Sequence, residues 1–340
     1  MAHDWLLVET LGDEPAVVAL GRQLRNLVPI TAFLRRNPHL AAIRTAIAES
    51  AQTGQSLVSI TPKNDRVIRT EPVLMSDGRM HGVHVWSGPA KAEPPERPVP
   101  GPLKWDLTLG VATDTVESLA NNGKNPEVED TDGRAFAENW PARELKPNES
   151  KVLALAVRPE PGRTLCATWD ASDWQGNPIR VSFVARNALE PGPDGRDHLV
   201  ARGMNWRAEP SAPAESADHL AQRILDGLAQ PGVHRALIDL NTLTLLKWLD
   251  EPCPFYDWRR SARNAPRVHP DDEPRLAAMS AELAGGAATA VLRMPGYGDT
   301  WVPVHVTVNR VEIEEHTFAG LLSVRLPTDA ELAEAGLAAP

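Results

Sequence analysis

Arg267, Val268, His269, Pro270, Asp271 and Asp272 place an imidazole next to two carboxylates, the residue types from which a general base or a metal site is assembled. The same run also has the composition of a helix start. A carboxylate can accept the first free amides, both charges favour the positive end of the helix dipole, and Pro270 or Pro274 fits a first turn that needs no donor. Capping therefore accounts for the motif without chemistry, with one aspartate as the expected cap.

Other chemical candidates meet simpler readings in the same way. Gly296, Tyr297 and Gly298 imitate the opening of a phosphate-binding loop, yet they join two strand-like runs and lead to Trp301 instead of a helix, so a hairpin turn is expected. Cys166 and Cys253 are far apart and lack ligand-spaced Cys or His neighbours, which argues against a zinc site or a disulfide framework. Glu314 and Glu315 read as solvated turn residues. No nucleophile elbow, Walker-type lysine loop or kinase signature is visible, so no catalytic residue is assigned. No metal site and no cofactor are evident either.

The aromatic content is more suggestive. Ten Trp stand against two Tyr and five Phe, and Trp248, Phe255, Tyr256 and Trp258 gather around Cys253. Such clusters either fill a core or line an apolar pocket with a few polar handles. As a ligand site, the candidate set is Trp248, Phe255, Tyr256, Trp258, Trp301 and His305. An amphipathic run, Ser216 to Leu228, puts Leu220, Ile224, Leu225 and Leu228 on one stripe and is the candidate signal-coupling helix, docking on its own sheet or across a dimer interface.

These residues are positioned by a pattern that occurs three times: an opening strand, a helical stretch, then three long strands. A chain of 340 residues suits two or three domains, and a composition 42% hydrophobic and 24% charged can furnish a core in each. Six prolines between Pro89 and Pro102 mark one boundary, and the Pro, Ser and Ala stretch from Pro210 to Ser216 marks another. The expected domains are 1–90, 102–209 and 217–328.

In the first unit, Trp5 to Thr10 reads as a strand and Pro15 to Val28 as a helix. Asn37 and Pro38 open a second helix that Gly54 ends, and strands follow at Leu57 to Ile60, Val67 to Met75 and Val83 to Trp86. The second unit opens at Trp105 to Val111, has Ser150 to Val157 as helix or strand, and closes with Thr164 to Trp169, Ile179 to Val184 and His198 to Trp206. The third begins with a hairpin turning on Asn241 and Thr242, has Leu276, Met279 and Leu283 on one helix face, and ends with three strands between Thr289 and Leu326. Thr328 and Glu331 form a capping box for a short final helix, free to dock on a partner or to fray.

The third unit, with strand, strand, helix and three strands and with Val268 to Asp272 at the helix start, resembles a PAS domain. The second unit resembles it in layout, and the first is more similar to a GAF or another PAS-related module. The whole resembles the mycobacterial and actinobacterial proteins that join one GAF and two PAS domains without a catalytic output domain. That resemblance implies an α+β protein of three tandem sensor-type domains, each an antiparallel sheet flanked by helices, with a signalling or regulatory role. It also implies no enzyme activity, and no output domain is expected in the residues after the last strand. The cysteine motif of flavin-binding relatives and a haem-ligating histidine are missing, as is the cyclic-nucleotide motif of some GAF domains.

The net charge of -10 and pI near 5.5 disfavour nucleic acid as a partner. The longest apolar run, near Val152 to Val157, is far below the roughly 20 residues that cross a bilayer, and the first ten residues do not read as a signal peptide, so no membrane insertion and a cytoplasmic location are expected. The expected partners are an unidentified protein and a small-molecule ligand, with the chain a monomer or homodimer. The competing expectations are a small-molecule enzyme using an aromatic pocket with His269 or His305, and a ligand-free interaction scaffold.

Overall fold

In a computed structural model, residues 4–61, 65–140, 149–158, 160–209, 220–260 and 266–337 are described, and they form three antiparallel sheets in succession. The first module contains β1 (Leu6–Glu9), β2 (Ala16–Leu20), β3 (Gln23–Pro29), α1 (Ile30–Phe33), α2 (Leu40–Thr53), β4 (Leu57–Ile60), β5 (Arg66–Leu74) and β6 (Met80–Pro89). Its sheet order is β3-β2-β1-β6-β5-β4.

The helix expected over 15–28 is instead the β2–β3 hairpin. Leu20 pairs with Gln23 across a two-residue turn whose first member, Gly21, has φ +56°, a conformation a helix cannot contain. Val17 turns toward the helices while Val18 and Ala19 turn toward the middle module, so both faces are apolar and the alternation that would announce a strand is hidden. The next helix ends where its sequence signal says but begins two residues later than Asn37 and Pro38 indicate, at Leu40 with His39 in the N-cap position. Asn37 Oδ1 accepts from the His39 amide, Ile43 and Ile47 are buried, and Gly54 ends α2 in the left-handed conformation.

The middle module contains β7 (Gly101–Asp106), β8 (Val111–Asp114), α3 (Val116–Asn121), β9 (Arg134–Ala135), α4 (Glu149–Val157), β10 (Thr164–Ser172), β11 (Pro178–Pro191) and β12 (Asp197–Arg207), in the order β10-β11-β12-β7-β8-β9. The run left open between helix and strand is helical, as α4. The third module follows α5 (Leu220–Gly227) with β13 (His234–Ile238), β14 (Leu245–Trp248), α6 (Glu273–Glu282), β15 (Ala287–Pro295), β16 (Trp301–Glu314), β17 (Thr317–Arg325) and α7 (Asp329–Glu334). Its order is β14-β13-β17-β16-β15. In all three sheets the module's first strand lies between its second and its last.

The sheets stack as layers. In the first sheet, Leu6, Val8 and Val83 pack on α1 and α2, while Leu7, Val18 and Val73 meet Val184, Met204 and Trp206 of the middle sheet. The opposite face of the middle sheet, with Leu103, Trp105 and Phe183, covers α4, whose other side receives Leu237, Leu246 and Leu321 from the third sheet. The remaining face of the third sheet covers α6. Charged groups tie the first interface: Arg202 holds Glu190 and Asp77, and Arg186 holds Glu9 at 2.7 Å. His81 lies beside Arg202, with Nδ1 2.9 Å from the Gly203 carbonyl, and burial together with that guanidinium lowers its pKa to about 4.

Two end signals act differently from expectation. The cap is His269, whose Nδ1 accepts from the Asp271 amide at the start of a 3-10 turn, Pro270–Asp272, that runs into α6; Asp272, in the N-cap position of α6 itself, instead reaches across to β15 and accepts from the Arg293 amide and Nε, both at 2.9 Å. An arginine on the adjacent strand offers a carboxylate more than the free amides do. The final helix α7 neither frays nor waits for a partner: Leu332 is buried, Arg325 pairs with Glu331 at 2.6 Å, and Arg275 donates to the Ala335 carbonyl. Its capping box forms as the sequence indicates. The stripe on α5 is divided, with Leu225 packed against the core around α4 and Ile224 and Leu228 exposed; residues 216–219 and the Leu220 side chain lie outside the described residues.

Candidate functional site

The third module encloses a cavity of about 60 Å³ between its sheet and α6. Alternate positions of the strands build the floor, with Ile238, Leu292, Met294, Val306, Val308 and Leu322 on one face as the period of two requires. Leu276 and Met279 on α6 and Leu283 just past its end, spaced by helical turns, form the wall. Leu243 and Leu245 close one side. Leu243 reaches it because Asp239 ties the β13–β14 turn, accepting from the Asn241 amide at 2.8 Å and the Thr242 hydroxyl at 3.0 Å, which holds Leu243 at φ +56°.

The polar residues on this lining are few: Tyr256, Arg267 and Ser280. Arg267 is half-buried, and its Nη2 donates to Thr244 Oγ1 at 3.0 Å. Among the described residues it forms no ion pair; Asp239, whose oxygens accept from the turn, attracts it without direct contact. Burial lowers the guanidinium pKa, only partly opposed by Tyr256 and Asp239. The result is an apolar chamber with one cation whose hydrogen-bonding capacity is largely unspent, since a guanidinium carries five donors.

The six candidate ligand residues are dispersed. Tyr256 lines the cavity. Trp248 and Trp258 meet edge to face with centroids 6.2 Å apart and, with Trp140, line a separate groove of about 320 Å³ between the middle and third modules. Lys247 lies over the Trp140 ring and Arg259 over the Trp258 ring, so these aromatic faces already carry cations. Phe255 stands edge-on to His234, and Trp301 edge-on to His269. His305 Nε2 lies 3.4 Å from Glu331, and burial, helped by Arg325, lowers its pKa. Neither His269 nor His305 lines the cavity. Cys253 is buried, and burial raises its thiol to about 11, leaving it protonated at neutral pH. Among the described residues no group of three or more His, Cys, Asp or Glu could hold a metal ion.

Two features eluded the sequence. Arg267 was visible only as the first residue of the helix-start motif. The middle module holds a continuous aromatic row, Trp140, Phe136, Trp105, Phe183 and Trp169, with successive centroids 5.0–6.0 Å apart. It comes from four separate stretches of chain, so no local spacing marks it. Beside the row, Glu149 at the start of α4 meets Lys247 of β14 at 2.6 Å, with both side chains buried. A bulge at Leu246 turns Lys247 toward the middle module: Leu237 pairs with Lys247 and Ile238 with Leu245.

Residues 4–96, 99–208 and 218–335 match, in that order, the N-terminal, middle and C-terminal domains described as Rv3651-like. The chain belongs to the Rv3651-like family. An uncharacterized protein from Mycobacterium tuberculosis, known as a crystal structure, is 71% identical over 99% of this chain and 100% of its own, with a TM-score of 0.90. A sensory box histidine kinase/response regulator from Burkholderia thailandensis E264 is 14% identical over 38% of this chain and 84% of its own, with a TM-score of 0.23. An RNA-binding light-oxygen-voltage receptor is 10% identical over 70% and 99%, with a TM-score of 0.27. No curated protein matches this Rv3651-like chain. Among the described residues no helix is long and apolar enough to cross a membrane.

Proposed function

We propose that this Rv3651-like protein is a cytoplasmic regulatory protein made of GAF- and PAS-like sensor modules, which acts by binding a small ligand and a partner protein without turning either over. The observation that carries the reading is the cavity of the third module, an apolar chamber between sheet and helix with a sparse polar rim. The strand, strand, helix and three-strand order of that module supports the PAS-like assignment, and fold alone would not carry the function.

The layering supplies a route from ligand to domain arrangement. Ile238, Val308 and Leu322 face the cavity, while their neighbours Leu237 and Leu321 pack in the core around α4, where Leu225 of α5 also docks. A ligand that favours one setting of the third sheet therefore favours one docking of α4, provided its affinity differs between the two arrangements. The test is a thermal-shift screen of small apolar and amphiphilic compounds on the full chain, followed by hydrogen exchange at α4. Binding that slows exchange at α4, and that Leu276→Phe blocks by filling the cavity, is the expected outcome. A folded protein with no shift across the screen would refute ligand sensing, and turnover abolished by His269→Ala in a folded variant would refute the non-catalytic reading.

A further inference from the structure

We propose that the third-module cavity takes a short monocarboxylate, its hydrocarbon body inside the chamber and its carboxylate on Arg267. The inference rests on the ligand-binding reading above and adds the chemical class. The lining other than Arg267, Tyr256 and Ser280 is hydrocarbon or thioether, so the part of a ligand that enters must be apolar. The volume of about 60 Å³ corresponds to about four to six water-sized groups at ~10–15 Å³ each, the bulk of a short alkyl chain and too little for a flavin or haem.

The head group follows from the charge at the rim. Arg267 has lost part of its hydration, and its hydrogen bond at 3.0 Å goes to a neutral hydroxyl. Asp239, the carboxylate that acts on it, is held in the β13–β14 turn and makes no ion-pair contact with it. A planar guanidinium with open donors beside an apolar chamber matches a carboxylate at the end of a hydrocarbon chain, which it can grip through two parallel hydrogen bonds. An amine would meet like charge, and a neutral alcohol would gain the chamber without the ion pair.

The experiment titrates the full chain with pentanoate, 1-pentanol and pentylamine by ligand-observed NMR, for the wild type and for Arg267→Gln and Leu276→Phe. Pentanoate is expected to bind at least about tenfold more tightly than pentanol, the effect of one charge-assisted hydrogen bond. Arg267→Gln should erase that preference while leaving pentanol binding intact, and Leu276→Phe should weaken both. Equal binding of acid and alcohol, or a preference that survives Arg267→Gln, overturns the carboxylate assignment and leaves the cavity as a ligand site. Absence of binding by all three probes to a protein that retains its thermal transition overturns both.

Discussion

Substituting Lys247 or Glu149 should loosen the third module from the middle one. The two side chains are 1% and 5% exposed and 2.6 Å apart. At an effective dielectric constant of about 20, charges at that distance attract by roughly 6 kcal/mol, and desolvation of the two ions offsets most of this. The pair is therefore close to neutral as a unit, but removing one member strands a buried charge, at about 3–5 kcal/mol. Lys247→Met and Glu149→Gln should each lower the transition that melts the third module by roughly 15 °C, at about 4 °C per kcal/mol for a module of this size. The double variant Glu149→Leu with Lys247→Met should return to within about 1 kcal/mol of the wild type. Calorimetry gives the transitions, and hydrogen exchange at α4 and β14 shows whether the loss is undocking or unfolding. Because Lys247 also lies 5.0 Å over the Trp140 ring, a residue of cation–π energy stays with whichever variant keeps the lysine. Small, additive effects in the double-mutant cycle would refute the claim that this pair governs the docking.

Two further expectations concern pH. His84 is buried against Trp5, neither ring nitrogen has a hydrogen-bond partner among the described residues, and burial, with Arg97 nearby, lowers its pKa to about 3. A histidine depressed in the folded state contributes stability that is complete above its unfolded pKa near 6.5 and is lost as the pH falls below it. His84→Phe should therefore raise stability by about 1 kcal/mol at pH 7 and flatten the decline between pH 6.5 and 4, as read from melting temperature against pH; an unchanged slope would count against it. For Asp272, burial pushes the carboxyl up, but the Arg293 hydrogen bonds outweigh it and hold the group below its usual range. That stability is present above the unfolded pKa and disappears as pH falls through the folded one. Asp272→Asn should cost about 2 kcal/mol at neutral pH and nearly nothing in strong acid, and a pH-independent loss would show the hydrogen bonds, not the charge, to be responsible.

The elements were legible wherever a local rule decided them. Gly54, Asp77-Gly78 and the Thr328–Glu331 box stop, turn and cap where their chemistry says they should. The rules failed where tertiary packing covers both faces of a strand. Ala16–Leu20 is apolar throughout because one face meets α2 and the other meets Trp206 of a different module, so its sequence shows no alternation. The candidate site was only partly legible for a related reason. Trp248 and Trp258 are conspicuous in the sequence yet serve an interface, while Arg267 looks like one more charge before a helix until the structure places it on the cavity with no ion pair among the described residues.

Each sheet is completed at its centre, not at its rim: Leu7 pairs with His84, Leu103 with Gly203, and Ala236 with Leu322. Translation thus delivers the opening strand of a module long before its central neighbour exists, and the ladder that unites the two halves forms last, after a long loop has closed. A polypeptide cut just ahead of any closing strand would not be a smaller version of the module. It would display the vacated flank of its most buried strand, an adhesive edge inviting association with other copies.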